Sequence, residues 1–271
     1  MGAGSGRYEY HPPLVAGMRD VLAALAEGEI TVSEAEARLA GYATTDAGRF
    51  DAAREDRRGV PEAILADGKT PEAVADLVAT AVRTAGRAIV TRADAERLEA
   101  ARTAAPDDAT VAEHGDAGAV VVHADGFEPP DLDATVAVVT AGTSDAPVAD
   151  EAAVIAGEMG AAVERIEDVG VAGIHRLVDH LEALRAADVA VVAAGREGAL
   201  PTVVAGLIDT PVIGLPVSTG YGAGGEGEAA LLGMLQSCSV ITVVNVDAGF
   251  VAGAQAGLIA RAVDAARRRP E

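Results

Sequence analysis

One cysteine, Cys238, lies in the run Met234-Leu-Gln-Ser-Cys238, between a helical pattern and an apolar stretch. A thiolate adds readily to an electron-poor carbon when nearby positive charge favours its ionised form. The same side chain in an apolar niche is simply a small inert residue. Glu197 stands between Gly195 and Gly198, ahead of Ala199-Leu-Pro201. A carboxylate at a strand end can serve as general acid or base, although a helix N-terminus also favours an acid through its dipole alone. His175 and Arg176 follow Gly170 and Gly173, offering a proton carrier and an anion ligand, or merely a solvated pair. Gly142, Thr143, Ser144 and Asp145 precede Pro147, a composition that caps a helix and leaves N–H groups for a phosphate. Gly220, Tyr221 and Gly222 open a stretch with further glycines at 224, 225 and 227. That is more glycine than a turn needs, and it reads as a mobile flap or phosphate cradle with Tyr221 able to stack on a planar ring. It lacks both the P-loop Gly-Lys-Ser/Thr and the Rossmann spacing. Asn245-Val-Asp247-Ala-Gly249 is a fifth polar loop of the same kind.

These loops must be held by a scaffold, and the pattern after residue 133 supplies one. Strands are expected at 135–140, 162–169, 188–193, 212–215 and 240–246. Helices are expected at 147–159, 174–186, 199–207, 228–237 and 250–267. The strands are continuous Val/Ile/Ala runs, as when both faces are covered. Strict alternation predicts an α/β, three-layer, doubly wound parallel sheet, flavodoxin-like, with five or more strands. Ligands bind such sheets beyond the carboxyl ends of the strands, where all five loops fall. Ahead of it, residues 1–130 are expected to form a smaller, mainly helical α/β domain, with residues 131–271 as the catalytic domain. Leu14, Met18, Leu22 and Leu25 share one helical face. Thr31 with Glu34, or Ser33 with Glu36, would make a capping box. Thr70-Pro71-Glu72 starts a helix that Gly86 stops, and Arg87–Thr91 and Ala119–His123 read as short strands. Gly126 with Pro129-Pro130 marks the linker.

Composition narrows the function classes. The 271-residue chain carries a net charge of −21, and Lys69 is its one lysine. Half the residues are apolar, yet no run reaches the ~20 residues of a membrane span. We expect a cytoplasmic protein of a high-salt interior, where salt screens carboxylate repulsion. Nucleic-acid and anionic-membrane partners are disfavoured, because the basic runs do not extend beyond Arg267-Arg268-Arg269. A single cysteine excludes an intrachain disulfide and a Cys-rich zinc site.

The order of the loops resembles the C-terminal domain of the LarB family, the carboxylase/hydrolase of nickel-pincer-nucleotide biosynthesis. The matching blocks are Ala141-Gly-Thr-Ser-Asp-Ala-Pro-Val148, Asp168-Val-Gly-Val-Ala-Gly-Ile-His-Arg176, Glu197-Gly-Ala-Leu-Pro201, Gly220-Tyr-Gly-Ala223, Met234-Leu-Gln-Ser-Cys238 and Asn245-Val-Asp-Ala-Gly-Phe250. The purine enzyme aminoimidazole ribonucleotide carboxylase is similar too. Glu197, Ser-Cys238 and the blocks Arg57-Arg-Gly-Val-Pro-Glu62 and Gly68-Lys-Thr-Pro-Glu72 favour LarB. Gly224-Gly-Glu-Gly-Glu228 departs from the family's flap. The resemblance implies carboxylation of nicotinic acid adenine dinucleotide at pyridinium C5, with hydrolysis of its phosphoanhydride to AMP. It implies CO2 or bicarbonate as co-substrate, Mg2+, no organic cofactor and a homo-octamer. Cys238 would be the nucleophile and Glu197 the group that handles the C5 proton or water, with His175 assisting. Gly142, Thr143, Ser144, Asp145, Arg176, Gly195, Gly198, Gly220, Tyr221, Gly222 and Asn245 would hold substrate, with Lys69, Arg54 and Arg57 either closing over it or lying on the surface. A purine-pathway carboxylase or mutase, or a non-catalytic nucleotide-binding protein, remain the alternatives on this fold.

Overall fold

The computed structural model describes residues 18–32, 35 and 39–269. Leu14 and the acceptors and donors of the expected capping boxes, Ser33, Glu34 and Glu36, lie outside the described residues. Met18–Ala26 is the first helix among the described residues, and Ala43–Thr45 (β1) and Gly48–Phe50 (β2) form an antiparallel hairpin.

The sheet near the N-terminus has four strands in the order β3-β4-β6-β5: Ile64–Leu65 (β3), Arg87–Thr91 (β4), Thr110–His114 (β5) and Ala119–His123 (β6). β4 and β6 match the sequence expectation, and β3 and β5 extend them into a sheet that the sequence pattern did not mark. β5 escapes the apolar pattern because it is an edge strand, Thr-Val-Ala-Glu-His, with mostly exposed residues. Pairing with β6, not burial, fixes it. Thr70 caps the helix Pro71–Ala85 by accepting from the Ala73 N–H at 3.2 Å, and Gly86 closes it in the left-handed conformation. Val74, Leu77, Val78, Ala81 and Val82 of this helix pack on the sheet.

The second sheet is parallel throughout, in the order β8-β7-β9-β10-β11. Its strands are Thr135–Thr140 (β7), Ala162–Ile166 (β8), Val189–Ala194 (β9), Val212–Pro216 (β10) and Thr242–Val243 (β11). In chain order this is 2-1-3-4-5, the flavodoxin-like arrangement. Helices Ala146–Glu158 and Gly249–Arg267 cover one face. Ile174–Val178, Leu181–Ala186, Ala199–Ala205 and Glu228–Leu235 cover the other. Val191, Val192, Ile213 and Leu215 are essentially solvent-free, and each such side chain contributes about 1.5–3 kcal/mol.

Two elements differ from expectation. The helix foreseen at 174–186 breaks at Asp179 and His180, both poor helix formers. β11 is only two residues long rather than seven. It is the edge strand and pairs with β10 alone, and Val240, which should have begun it, is 94% exposed.

The two sheets are joined through side chains. Val60, Ile89 and Val121 pack with Val154, Ile155, Met159 and Ala254. The buried Arg87 bonds Glu55 at 2.7 Å and both the carbonyl and carboxylate of Glu158, which also pairs with His123 at 2.9 Å. Burying an arginine is tolerable because both terminal nitrogens of the guanidinium are hydrogen-bonded and its face meets the Phe127 ring.

Candidate active site

The carboxyl ends of β7, β8, β9 and β10 open into one cavity of about 500 Å³. It lies at the switch point of the sheet, where the chain leaves β7 towards β8 on one side and β9 starts the run towards the other edge.

Asp145 forms its floor. The side chain is buried, and both oxygens are taken by the protein. One accepts from the Gly142 N–H at 2.9 Å. The other accepts from the Gly195 N–H at 3.1 Å and the Thr219 hydroxyl at 3.0 Å. A single carboxylate therefore ties together the loops after β7, β9 and β10. Burial raises its pKa above the ordinary aspartate value, and these three hydrogen bonds oppose that rise. Asp145 was expected to hold substrate anions; the geometry instead commits it to holding the loops.

The glycines here serve close approach. A β-carbon on Gly195 would lie 2.4 Å from the Thr219 carbonyl, and one on Gly198 would lie 2.5 Å from the Ala230 carbonyl. Gly198 also has φ +65°. Five non-glycine residues among those described take positive φ: Arg92, Asp168, Arg196, Glu226 and Asp247. Four of them sit one each in the loops after β8, β9, β10 and β11. Backbone strain is thus concentrated along the edge that forms the site.

Of the residues read from the sequence as site residues, Gly142, Ser144, Asp145, Gly195, Glu197, Gly220 and Tyr221 line the cavity. Thr143, His175, Arg176, Gly198, Gly222, Asn245 and Cys238 are not among its lining residues. Arg176 folds back onto Asp168 in an ion pair, and His175 is exposed on the helix beside it. The Asn245 side chain accepts from the Val246 N–H at 2.9 Å. Lys69 donates to the Leu65 carbonyl, Arg57 pairs with Asp51, and Arg54 pairs with Glu62 while its guanidinium lies 5.8 Å over the Phe250 ring of the second unit. Cys238 is exposed. It follows the helix Glu228–Leu235 and precedes β11, which places it towards the amino end of the sheet, away from the cavity mouth.

Sequence reasoning passed over three contributors. Arg196, in the loop after β9, lines the cavity with its guanidinium 4.0 Å over the Tyr221 ring. That cation, by hydrogen bonding and by charge, holds the Tyr221 phenol below its usual pKa. Thr219 supplies the hydroxyl to Asp145. Arg92, from the N-terminal unit, donates to the Asp247 carbonyl at 2.6 Å and to buried Glu151 at 3.4 Å. Asp247 in turn accepts from the Ser218 N–H at 2.8 Å, next to Thr219. The N-terminal unit is thereby latched to the loops around the cavity. Nothing in the local sequence marks Arg92, because its partners lie more than fifty residues away.

Residues 135–269 match the AIR carboxylase family, and residues 42–124 match the LarB/PurE-like N-terminal domain. An uncharacterized protein of Methanocaldococcus jannaschii is 38% identical over 252 residues, covering 90% of this chain and 97% of that protein. The chain belongs to the LarB/AIR carboxylase-like family. Membership indicates an enzyme of carboxylase type and agrees with the five-stranded parallel sheet. Among solved structures, a Treponema denticola PurE2 variant is similar at 18% identity and a TM-score of 0.36, over 52% of this chain and 96% of that one. No helix among the described residues is long and apolar enough to cross a membrane.

Proposed function

We propose that this protein carboxylates the pyridinium ring of nicotinic acid adenine dinucleotide at C5 and hydrolyses the phosphoanhydride. The products would be pyridinium-3,5-biscarboxylic acid mononucleotide and AMP. The observation that carries this reading is the LarB/PurE-like N-terminal match at residues 42–124 in one chain with the carboxylase match. The latch from Arg92 to the Asp247 loop gives that pairing a structural sense, since it joins the N-terminal unit to the cavity edge.

A pyridinium ring is too electron-poor to attack CO2. Thiolate addition to the ring gives a neutral dihydropyridine whose C5 is enamine-like. C5 then attacks CO2 and forms a carbon–carbon bond. Loss of the C5 proton to a base, with expulsion of the thiolate, restores the aromatic cation. Glu197 lines the cavity and has an exposed carboxylate, so it is our base. Hydrolysis then adds water across the diphosphate, releasing AMP.

Cys238 has to reach this cavity from elsewhere. Leu232, Leu235 and Val240, near it in the chain, are 51%, 59% and 94% exposed. A second copy of the chain covering that apolar surface would carry Cys238 to its own cavity, so we place the thiol in a homo-oligomeric site. The described residues contain no group of three or more His, Cys, Asp or Glu side chains set to hold a metal ion, and the Asp145 oxygens are taken. Magnesium, which the resemblance implies, would therefore come with the diphosphate.

The test is incubation with nicotinic acid adenine dinucleotide, bicarbonate and magnesium in high salt, followed by product analysis and intact-protein mass. We expect AMP, a carboxylated pyridinium product, and a mass adduct that Cys238→Ala abolishes. Absence of both products overturns the reading, and a fully active Cys238→Ala variant removes the covalent step. Carboxylation of aminoimidazole ribonucleotide instead would support the purine alternative.

A further inference from the structure

The stack of Arg196 on Tyr221 lines the cavity, and the same two residues line a second hollow. The main cavity measures about 500 Å³. The second, about 170 Å³, lies under the glycine-rich stretch and shares Arg196, Thr219, Gly220 and Tyr221 with the first. The larger space falls within the usual range of ligand sites, about 300–1,000 Å³, and the smaller holds only part of a ligand. Two unequal hollows divided by one side-chain stack fit a molecule of two parts.

The stack itself has the chemistry of a ring and a phosphate. Arg196 is the one cation among the cavity-lining residues, which otherwise carry the acids Asp145 and Glu197. Among the described residues no carboxylate forms an ion pair with it; its partner is Tyr221, through the ring and a hydrogen bond to the phenol. Arginines elsewhere in the molecule, such as Arg176, Arg165 and Arg267, are paired with acids. In a chain of net charge −21, an arginine whose partner is an exposed tyrosine and not a carboxylate is a cation available to an incoming anion. A guanidinium grips phosphate through parallel hydrogen bonds, and an exposed cation–π contact is weak enough to give way. Arg196 also sits at φ +52°, where glycine would be less strained. The side chain is presented there at some backbone cost. Tyr221 is 79% exposed, so its ring has an open face once the guanidinium moves.

We propose that Arg196 and Tyr221 form the recognition element for a 5′-phosphorylated nucleoside. The guanidinium swings from the ring to the phosphate, and the nucleobase takes its place on Tyr221, joining the two hollows. This deepens the proposed function, and rests on it only in assigning the nucleotide to the AMP half of the substrate.

The experiment is calorimetric titration of the wild type, Arg196→Gln and Tyr221→Leu with AMP, adenosine and inorganic phosphate. Both substituted side chains are exposed, so circular dichroism should show native folds. We expect Arg196→Gln to weaken AMP about tenfold or more, as loss of a charge-assisted hydrogen bond does, without weakening adenosine, which no longer has a guanidinium to displace from the ring. Tyr221→Leu should weaken AMP and adenosine alike, by about fivefold or more, and leave phosphate unchanged. The chain has no tryptophan and four tyrosines, so AMP should also change the tyrosine emission of the wild type, and not that of Tyr221→Leu. Unaltered AMP binding by Arg196→Gln overturns the proposal, as does equal loss of AMP and adenosine, or failure of the wild type to bind AMP. Turnover of the dinucleotide is measured on the same preparations. Turnover with unaltered AMP binding rejects the stack alone. Arg196-dependent AMP binding without turnover supports the stack and rejects the carboxylase reading.

Discussion

Replacing Asp145 separates two roles that look alike in the sequence: a ligand for substrate, or a tie between loops. Asp145→Asn keeps the shape but loses the charge and one acceptor. Its amide NH2 must face either the Gly142 N–H or the pair formed by the Gly195 N–H and the Thr219 hydroxyl. At least one donor then meets a donor, and the remaining contacts lose their charge assistance. An orphaned buried donor costs about 1–3 kcal/mol, so we expect Asp145→Asn to destabilise by roughly 2 kcal/mol. Asp145→Ala orphans all three and should cost about 3–5 kcal/mol, less than the full sum because water enters from the open cavity. A chain of this length loses about 2–4 °C of Tm per kcal/mol, which puts Asp145→Asn about 4–8 °C below wild type. Thermal and urea unfolding measure this. A double-mutant cycle with Thr219→Val should return a coupling of about 1 kcal/mol. The pH dependence has a definite sign. Burial raises the folded-state pKa above the ordinary 3.8, so the folded protein holds this proton more tightly than the unfolded chain. The contribution is full below the ordinary value and declines as pH climbs through the raised one. The stability gap between wild type and Asp145→Asn should therefore narrow across that acid window and stay level above it. If Asp145→Asn unfolds within a degree of wild type and loses only ligand affinity, the tie between loops is wrong.

Two further outcomes test the assembly of the site. Glu197→Gln and Cys238→Ala should each be inactive alone, but when their protomers are mixed equally during assembly roughly a quarter of sites regain both groups, if the thiol comes from a second copy. AMP release measures this, and no recovery would place both groups in one copy. Arg92→Ala removes the latch from the N-terminal unit and leaves buried Glu151 without its cation; because Arg92 is itself half-exposed, we expect a loss of about 1–3 kcal/mol. Hydrogen exchange should quicken at 245–249 and 217–220 and not in β9, whereas uniform quickening would mean that Arg92 only supports global stability.

The second sheet was legible because its signals are local. Apolar runs of Val and Ala at β7 and β9, and the buried Val-Ile-Gly-Leu of β10, mean burial on both faces, and alternation with helices leaves little choice of class. Thr70-Pro71 and Gly86 marked their helix because caps act within one turn. Edge elements were less legible. β5 and β11 draw their stability from a partner strand, so their own residues carry little pattern.

The sequence by itself determined which loops would gather at the carboxyl edge, and that Glu197, Ser144 and Tyr221 would meet there, because strand direction and loop order follow from the alternation. Only the tertiary structure decided what those loops do to one another. It tied one Asp145 oxygen to the Gly195 N–H and the Thr219 hydroxyl from loops far along the chain, set Arg196 on Tyr221, brought Arg92 to the Asp247 loop, and left Cys238 exposed away from the cavity. Each of these depends on contacts between residues far apart in the chain, and the residue types alone do not say which partner a carboxylate, a guanidinium or a thiol will meet.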